Sequence, residues 1–345
     1  MKKVDFIIVG QGIAGTVLAF EILKRNKTIH LIDKIQENSA SRIALGIYNP
    51  LVLKWFTKSW KAEIQLNALQ RFFNDFEKKF SVKINHNKNI HKFLDSNYSI
   101  NNWFEKQASP NRKDFMKKDL KYLDGVEKPF GVILNSGWVN LKLMLDTFRS
   151  FLKQKKHLQE SRFFYDKIKI KNDYIEYEEV MSKHLIFCEG SSVLNNPYFK
   201  NLGFKMTKGE IIHFKSKDLK INEITHSGTL IIPISNDIYY AGSTFDWDTN
   251  NLSCSKDSEI EIIEKIKKIK NFKYKLIDHK VSIRPSIIDR RAIIGRHSKY
   301  RNLYLVNGLG SRGMLLSPYL VNQLCSFILS NEKINSEIDV NRFYK

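Results

Sequence analysis

The first fifteen residues constrain the fold of this chain more than any other segment, because they have the pattern of a dinucleotide-binding turn. An apolar strand at residues 4–9 leads into a G-x-G-x-x-G motif at residues 10–15, and a helical pattern follows at once. In such a turn the first glycine permits a tight bend, the second admits a diphosphate close to the backbone, and the third lets the helix pack against the strand. The amino end of the helix then faces the phosphate charge.

An acidic residue stands at the distance that this motif requires. Asp33 follows a second apolar strand and lies eighteen residues after Gly15, where its carboxylate would accept hydrogen bonds from an adenosine ribose. The same charge would repel the 2′-phosphate of NADP, although the neighbouring Lys34 weakens that repulsion. We therefore predict a bound dinucleotide, and the alternative is a glycine-rich turn that binds no ligand.

The composition is that of a globular protein and limits its class. The chain has 345 residues, of which 42% are hydrophobic and 12% aromatic, enough for one large domain or two of ordinary size. Its three cysteines form no C-x-x-C pair, which disfavours a redox dithiol or zinc ribbon and is typical of a reducing compartment. No metal-ligand spacing, secretory signal or run of about 20 apolar residues occurs, so we expect a metal-free, soluble, cytoplasmic protein without membrane contact.

The net charge of +21, from 57 Lys and Arg against 36 Asp and Glu, has two candidate origins. Basic residues that contact phosphates drive nucleic-acid binding, so a polyanionic partner is one of them. Lys, Asn and Ile are abundant along the whole chain, however, so a general composition bias with solvated, lysine-rich helix faces is the other.

Hydrophobic periodicity divides the chain into a parallel and an antiparallel part. Short apolar runs near glycines predict strands of a buried parallel sheet at residues 4–9, 28–32, 184–188 and 303–306. A second group of runs predicts an antiparallel sheet at residues 210–215, 229–234, 238–243 and 276–283. Apolar stripes and capping signals predict helices at residues 12–26, 61–80, 141–152 and 258–270, and after Gly313.

We predict two interleaved domains, because the parallel strands come from the start, the middle and the end of the chain. The fold class is α/β, with a Rossmann-like dinucleotide-binding domain and an antiparallel-sheet substrate domain. The first domain would comprise residues 1–50, 131–204 and 280–345, and the substrate domain residues 51–130 and 205–279.

Four further segments are candidates for the site. The loop at residues 39–50 is rich in small residues, which suits a flat ring or an ordinary loop equally. The strand that ends before Gly190 would meet the cofactor at the carboxyl edge of the sheet. Arg284, where a strand re-enters the first domain, is either the anchor of a carboxylate through two hydrogen bonds or a surface arginine. Residues 303–314 repeat the strand–glycine turn–helix pattern, whose helix amino end would stabilise the negative charge of a reduced flavin.

These motifs together resemble the FAD fingerprint of the D-amino-acid oxidase and glycine oxidase superfamily. They occur in the family's order over nearly the whole chain. Besides the opening motif with Asp33, they are Gly137-Trp138-Val139-Asn140, Gly209-Glu210-Ile211, Tyr240-Ala241-Gly242-Ser243-Thr244, and Arg284-Pro285 followed by Gly295-Arg296-His297. Residues 46–51 and 308–313 look most like the oxidase half of the bifunctional enzyme that modifies the wobble uridine of tRNA.

The resemblance implies a D-amino-acid oxidase-like fold and non-covalently bound FAD. It implies oxidation of a C–N bond in a small-molecule amine, with hydride transfer to flavin N5, hydrolysis of the imine and reoxidation by dioxygen to hydrogen peroxide. Arg284 would anchor the substrate carboxylate, and Arg312 would reach the substrate or the flavin. The residues expected to hold FAD are Gly10, Gly12, Ile13, Ala14, Gly15, Asp33, Lys34, Arg42, Gly46, Gly190, Gly310, Ser311, Arg312, Gly313 and Met314.

Two alternatives to a small-amine oxidase remain open. One is the same oxidation on a carboxymethylaminomethyl uridine carried by tRNA, which the net charge of +21 favours. The other is a non-catalytic, FAD-stabilised interaction module, which would leave Arg284 and the second glycine turn without a role.

Overall fold

The computed structural model describes residues 1–344, so Lys345, the last residue of the predicted first domain, lies outside the described residues. The chain forms two compact units built from separated segments. The first unit comprises Met1–Arg42, Leu141–Thr207 and the chain from Ile283 onward, and the second comprises Ile43–Asn140 and Lys208–Ser282. These bounds differ from the predicted ones most at residues 131–140. That segment belongs to the second unit, because its strands pair with strands there.

An eight-stranded sheet forms the centre of the first unit. Its strands are Lys2–Val9, Ile29–Ile32, Leu158–Gln159, Ile168–Ile170, Ile175–Tyr177, Val180–Phe187, Ile293–Arg296 and Leu303–Asn307. The amino-terminal strand, Lys2–Val9, pairs in parallel with Ile29–Ile32 on one side and Val180–Phe187 on the other. Later strands are thus added on both sides of this strand, so it marks the point where the strand order reverses. Ligands of open parallel sheets bind at such a switch point, beyond the carboxyl ends of the strands.

Helices of the first unit cover this sheet, and their bounds are Ile13–Lys24, Leu141–Gln154 and Gly313–Ser330. The carboxy-terminal helix, Gly313–Ser330, packs against the first helix and contains Pro318. It is long and apolar enough to cross a membrane by length and composition alone, which the sequence prediction overlooked, yet half of it is buried within the protein. A core helix of a globular domain passes the same test.

The second unit contains a mixed, mainly antiparallel eight-stranded sheet. In spatial order its strands are Lys275–Ile287, Phe204–Lys215, Ile238–Gly242, Leu230–Ser235, Ile224–His226, Ile90–Phe93, Pro129–Ile133 and Lys121–Tyr122. The helix Lys256–Lys267 buries Ile262, Ile263 and Ile266 in a cluster with Phe214 and Ile231 of this sheet. A turn at Asn236-Asp237 joins Leu230–Ser235 to Ile238–Gly242, with Asp237 at a φ of 63°.

Smaller elements complete the second unit. A three-stranded sheet joins Ile47–Tyr48, Gly137–Val139 and Asn85–Asn87, and a two-stranded hairpin joins Leu51–Val52 to Thr57–Lys58. The helix Ala62–Phe80 follows the hairpin along the chain, and the helix Asn97–Ala108 lies between Asn85–Asn87 and Gly137–Val139. The short helix Ala40–Ile43 lies where the first segment of the first unit ends.

Two predicted details were wrong. The pattern Ser258-x-x-Glu261 predicts a capping box that opens the helix at residues 258–270, but Ser255 is the cap and accepts a hydrogen bond from the Ser258 amide. The apolar stripe that predicts the helix at residues 61–80 includes Ile64, but Ile64 is 50% exposed. Gln65 takes the buried position instead, and its Nε2 donates to the Trp60 carbonyl at 2.6 Å.

Candidate functional site

The turn at residues 10–15 requires glycine for steric reasons that the structure makes explicit. Gly10 has a φ of +96°, and a Cβ there would lie 2.5 Å from the Cys188 carbonyl oxygen. A Cβ on Gly15 would lie 1.9 Å from the Gly10 carbonyl oxygen, so only glycine lets the first helix approach the strand this closely. The turn therefore brings the helix amino end to the carboxyl edge of the sheet.

The amino end of the first helix fits the diphosphate of FAD. Gly12 is the capping residue and has no side chain, so its backbone is open to a close ligand. Ser41 lies against this end, and its Oγ accepts a hydrogen bond from the Ile13 amide at 3.0 Å. The first-turn amides of a helix have no partner within it, so the Ala14 and Gly15 amides would present donors to a phosphate, and Ile13 would lie beside it with its amide bound to Ser41.

Asp33 lies at this edge and is held by two neighbours. Its Oδ1 accepts from the Gln11 amide at 2.9 Å, and its Oδ2 accepts from Arg149 at 2.7 Å. Its side chain is 19% exposed, and a carboxylate has more acceptor positions than these two bonds use. Asp33 can therefore still accept hydrogen bonds from a ribose diol.

Arg149 is a residue that sequence reasoning missed, although it controls the orientation of Asp33. Its side chain is only 6% exposed. One guanidinium nitrogen donates to both Asp33 and the Gln11 side-chain oxygen, each at 2.7 Å, and another donates to Glu160 at 3.0 Å. Arg149 comes from the helix Leu141–Gln154, more than a hundred residues from Asp33, so no local pattern signals this contact.

We expect Arg149→Met to lower both the stability and the FAD affinity of the protein. The substitution keeps an apolar side chain but leaves Asp33 and Gln11 without their buried partner, a change that costs about 3 kcal/mol of unfolding free energy. Urea denaturation and flavin titration would measure the two effects. The control is Lys153→Met, because the side chains of Lys153 and its partner Glu160 are 49% and 45% exposed, so its stability loss should stay below about 1 kcal/mol. Unchanged FAD affinity in Arg149→Met would exclude a role for Arg149 in orienting Asp33.

Glu189 follows the strand Val180–Phe187 and lies beside the same turn. Tyr165 donates a hydrogen bond to its Oε1 at 2.5 Å, and Asn196 donates to its Oε2 at 2.7 Å. Burial raises the pKa of Glu189 to about 7, although both hydrogen bonds lower it. A carboxyl group that is partly protonated near neutral pH adds little negative charge beside a turn predicted to hold a diphosphate.

The raised pKa of Glu189 predicts a loss of stability with rising pH. Between its ordinary value of 4.5 and about 7, the folded protein binds a proton that the unfolded chain releases, so the unfolding free energy falls as pH rises through this interval. We expect Glu189→Gln to remove up to about 3 kcal/mol of this decline, because the amide carries no charge. Its oxygen can accept from Asn196, and its NH2 can donate to the Tyr165 hydroxyl, which can also act as an acceptor. Urea denaturation at pH 5 and pH 8 would measure how far the unfolding free energy of each protein falls between these two pH values. An equal fall in both proteins would contradict the prediction.

The second glycine turn lies against the strand end that carries Arg284. The Gly310 amide donates to the Pro285 carbonyl at 3.0 Å, and a Cβ on Gly308 would lie 2.6 Å from Ile287 Cγ1. A Cβ on Gly313 would lie 3.3 Å from Ile13 Cδ1, so this turn also reaches the amino end of the first helix. The structure thus brings together three segments that are distant in sequence: the dinucleotide turn, the Arg284 strand end and the second glycine turn.

Gly190 belongs to the same edge. Asn307, the last residue of its strand, donates from Nδ2 to the Gly190 carbonyl at 2.9 Å and accepts from the Gly308 amide at 2.8 Å. One asparagine side chain therefore ties the segment after Val180–Phe187 to the second glycine turn.

The two predicted site arginines are half-buried in the first unit. Burial lowers the pKa of Arg284 and of Arg312 from the ordinary value of 12.5, and arginine stays charged at neutral pH regardless. Arg312 caps the carboxy-terminal helix, next to the exposed Ser311 and the buried Met314. A half-buried cation attracts an anionic ligand more strongly than a solvated one, because water screens it less.

The remaining predicted cofactor residues lie in different surroundings. Arg42 forms an ion pair with Asp146 at 2.7 Å, and Lys34 is exposed. Gly46 lies in the second unit, where its carbonyl accepts from the Val139 amide at 3.0 Å. The cofactor-binding roles of all three stay predictions.

Within residues 1–344, one cluster brings potential metal ligands together: Glu210, Cys254 and His279. The His279 Nε2 lies 2.9 Å from Glu210, in a direction that makes no hydrogen bond. Glu210 is already held by the Lys208 ammonium at 3.2 Å and the Ser255 amide at 2.9 Å. Protein groups thus balance its charge, and the prediction of a metal-free protein remains untested.

Comparison with known proteins agrees with this geometry. The bifunctional protein MnmC of tRNA 5-methylaminomethyl-2-thiouridine biosynthesis from Campylobacter jejuni subsp. doylei is 24% identical over 368 residues, covering 97% of this chain and 56% of that protein. The chain thus spans just over half the length of this relative.

Two solved structures share the fold. Glycine oxidase from Bacillus cereus superposes with a TM-score of 0.78 at 19% identity, covering 96% of each chain. L-proline dehydrogenase from P. horikoshii superposes with a TM-score of 0.79 at 13% identity, covering 99% of this chain and 98% of that one. These likenesses confirm the predicted fold class, a Rossmann-like domain with an interleaved substrate domain.

The family of FAD-dependent oxidoreductases designated DAO matches residues 5–322. The match includes the dinucleotide turn, Asp33, Arg284 and the second glycine turn, all of which the structure places in the first unit. It confirms the resemblance inferred from the sequence, and FAD is the cofactor of this family. The chain therefore belongs to the DAO family of FAD-dependent oxidoreductases.

Proposed function

We propose that this enzyme oxidises the C–N bond of an amine that carries a carboxylate. The observation that supports this most is the hydrogen bond from the Gly310 amide to the Pro285 carbonyl, which sets Arg284 beside the second glycine turn. Two proteins of the same fold, glycine oxidase and L-proline dehydrogenase, are named for amino-acid substrates. A fixed guanidinium is the group that holds a carboxylate most specifically, through two parallel hydrogen bonds.

The protein groups would bind and orient the substrate and would stabilise negative charge on the cofactor. Bound FAD would supply two-electron oxidation of the C–N bond, with dioxygen as the final electron acceptor. Arg284 would anchor the carboxylate and so hold the substrate carbon close to the acceptor atom, about 3–3.5 Å away. Backbone amides of the turn Gly310–Gly313 would stabilise negative charge at the helix amino end, with Arg312 adding to that field. A substrate amine that enters neutral needs no protein base.

An anaerobic flavin-bleaching screen tests this proposal. The purified protein should be yellow, should release FAD on acid precipitation if the cofactor is non-covalent, and should lose its flavin absorbance when mixed with its substrate. Glycine, N-methylated glycines and small amino acids form the panel, and admission of air should restore the colour and produce peroxide. A colourless protein that takes up no FAD would refute the proposal.

A second candidate substrate is a carboxymethylaminomethyl uridine in tRNA. The curated relative acts in tRNA 5-methylaminomethyl-2-thiouridine biosynthesis by its name, and a net charge of +21 favours a polyanionic substrate. Phosphate contacts make binding depend on salt, with a log–log slope near −0.9 for each duplex phosphate and about −0.7 for each single-strand phosphate. Oxidation of tRNA that weakens steeply with salt would support this candidate. Efficient oxidation of free amines that is independent of salt would favour the small-molecule substrate.

A further inference from the structure

The hairpin that joins Leu51–Val52 to Thr57–Lys58 presents an exposed tryptophan beside a lysine. Trp55 is 52% exposed, and the Lys54 Nζ lies 4.7 Å from the centre of its ring. A large aromatic side chain contributes most to stability when it is buried, so solvent exposure of half its surface forgoes that gain. We call Lys54 and Trp55 the hairpin tip.

The hairpin holds its shape without the Trp55 side chain. The flanking residues Leu53 and Phe56 are 9% and 2% exposed, and the Phe56 ring packs edge-on against Trp103 at 5.3 Å. The amides of Trp55 and Phe56 both donate to the Val52 carbonyl, at 3.0 and 2.8 Å. The backbone of the tip is therefore fixed from below, and the indole is displayed on a rigid support.

We propose that the hairpin tip is a stacking platform for a base of a single-stranded polynucleotide. Every base has a π-face, so an exposed indole binds single strands with little sequence preference. The Lys54 ammonium lies over one face of the ring, so the base would stack on the opposite face while the ammonium attracts the backbone phosphate. The net charge of +21 raises the local concentration of any polyanion. Lys58, farther down the hairpin, is paired with Glu63 at 2.7 Å, so Lys54 is the cation placed to act with the ring.

A second tryptophan of the same unit shows that exposure alone does not specify this ligand. Trp247 is also 52% exposed, but it stands between Asp246 and Asp248. Two carboxylates beside the ring repel phosphates, so this surface is unsuited to a polynucleotide. Trp247 is therefore a matched control: the same side chain with the same exposure and the opposite local charge.

The inference rests on the second candidate function, in which the substrate is carried on RNA. The test distinguishes failure of the hairpin tip as a binding site from failure of that candidate function. Fluorescence anisotropy would measure binding of a labelled single-stranded RNA of about ten nucleotides, close to the site size of known single-strand binders. Trp55→Ala should weaken binding roughly 5-fold to 150-fold, the range reported for removing one stacked base, and Trp55→Phe should recover most of it. Trp247→Ala should bind like the unchanged protein. Lys54→Gln should reduce the slope of log affinity against log salt concentration by about 0.7 in magnitude.

Three results would overturn the inference. One is equal RNA affinity of Trp55→Ala and Trp247→Ala, and another is a preference for duplex over single strand. The third is binding of the tip to anionic phospholipid vesicles without binding to RNA. Oxidation of a free amine by Trp55→Ala at the normal rate is expected, and it would show that loss of RNA binding leaves the flavin site intact. Binding through Trp55 without oxidation of any RNA-borne substrate would instead refute the second candidate function alone.

Discussion

Arg284→Ala is expected to raise the KM for a carboxylate-bearing amine on the order of 100- to 10,000-fold while FAD stays bound. Each hydrogen bond between charged groups contributes about 1.5–3 kcal/mol, and the guanidinium would supply two of them to the substrate. The affinity for FAD should be nearly unchanged, because the dinucleotide turn and Asp33 remain intact. Steady-state kinetics together with flavin titration would measure both quantities.

The matched control for Arg284 is Arg301→Ala. Arg301 is an exposed arginine of the same unit, so its removal lowers the net charge equally without touching the strand end beside the second glycine turn. Its KM should equal that of the unchanged enzyme. An Arg284→Ala enzyme with the same KM as this control would remove Arg284 from the substrate site, and loss of FAD in Arg284→Ala would assign it to the cofactor instead.

Gly12→Asp is expected to abolish FAD binding and leave a folded, colourless protein. The new carboxylate would stand at the amino end of the first helix, where the diphosphate is expected, and like charges in contact cost several kcal/mol, or more than about 100-fold in affinity. Gly12 has an ordinary negative φ of −75°, and its Cβ would meet only the Ser41 hydroxyl, at 2.8 Å. Rotation of the Ser41 hydroxyl relieves this contact at the cost of one hydrogen bond from the Ile13 amide, so the fold should tolerate the change.

Gly12→Ala separates the charge effect from the steric effect. It adds the same Cβ without a carboxylate, so it should keep FAD with a smaller loss of affinity than Gly12→Asp. Flavin absorbance of the purified proteins and their circular dichroism spectra would show cofactor content and folding. Normal FAD content in Gly12→Asp would contradict the assignment of this turn to the diphosphate.

The hydrophobic pattern of the sequence predicted those helices and strands in which buried residues recur at a regular spacing. The helix Leu141–Gln154 buries Leu141, Met144, Leu145, Phe148 and Leu152, which recur at helical spacing, and its prediction from that stripe was confirmed. The helix Asn97–Ala108 was missed, because Trp103 is the residue that it buries and no stripe results. Its start is marked by a capping box of Ser96 and Ser99, which lacks the acidic or amide partner that the usual motif has.

The site residues also divide into those that the sequence predicted and those that it did not. The glycine turns, Asp33 and Arg284 were predicted because each stands in a short motif with a steric or electrostatic reason for its residue type. Arg149 and Glu189 were not, because their partners come from other segments. Arg149 contacts Asp33 across 116 positions, and the raised pKa of Glu189 comes from its burial rather than from its neighbours in sequence.

The sequence by itself predicted a dinucleotide-binding, Rossmann-like domain, because Gly10 and Gly15 allow a close approach of helix and strand that a side chain at either position would block. Only the tertiary structure decided which distant groups meet at that edge. Sheet pairing brings the carboxyl ends of Lys2–Val9, Val180–Phe187 and Leu303–Asn307 side by side, and the Gly310–Pro285 hydrogen bond then sets Arg284 against the second turn. Such contacts depend on strand order and burial, which are properties of the whole fold and leave no trace in local spacing.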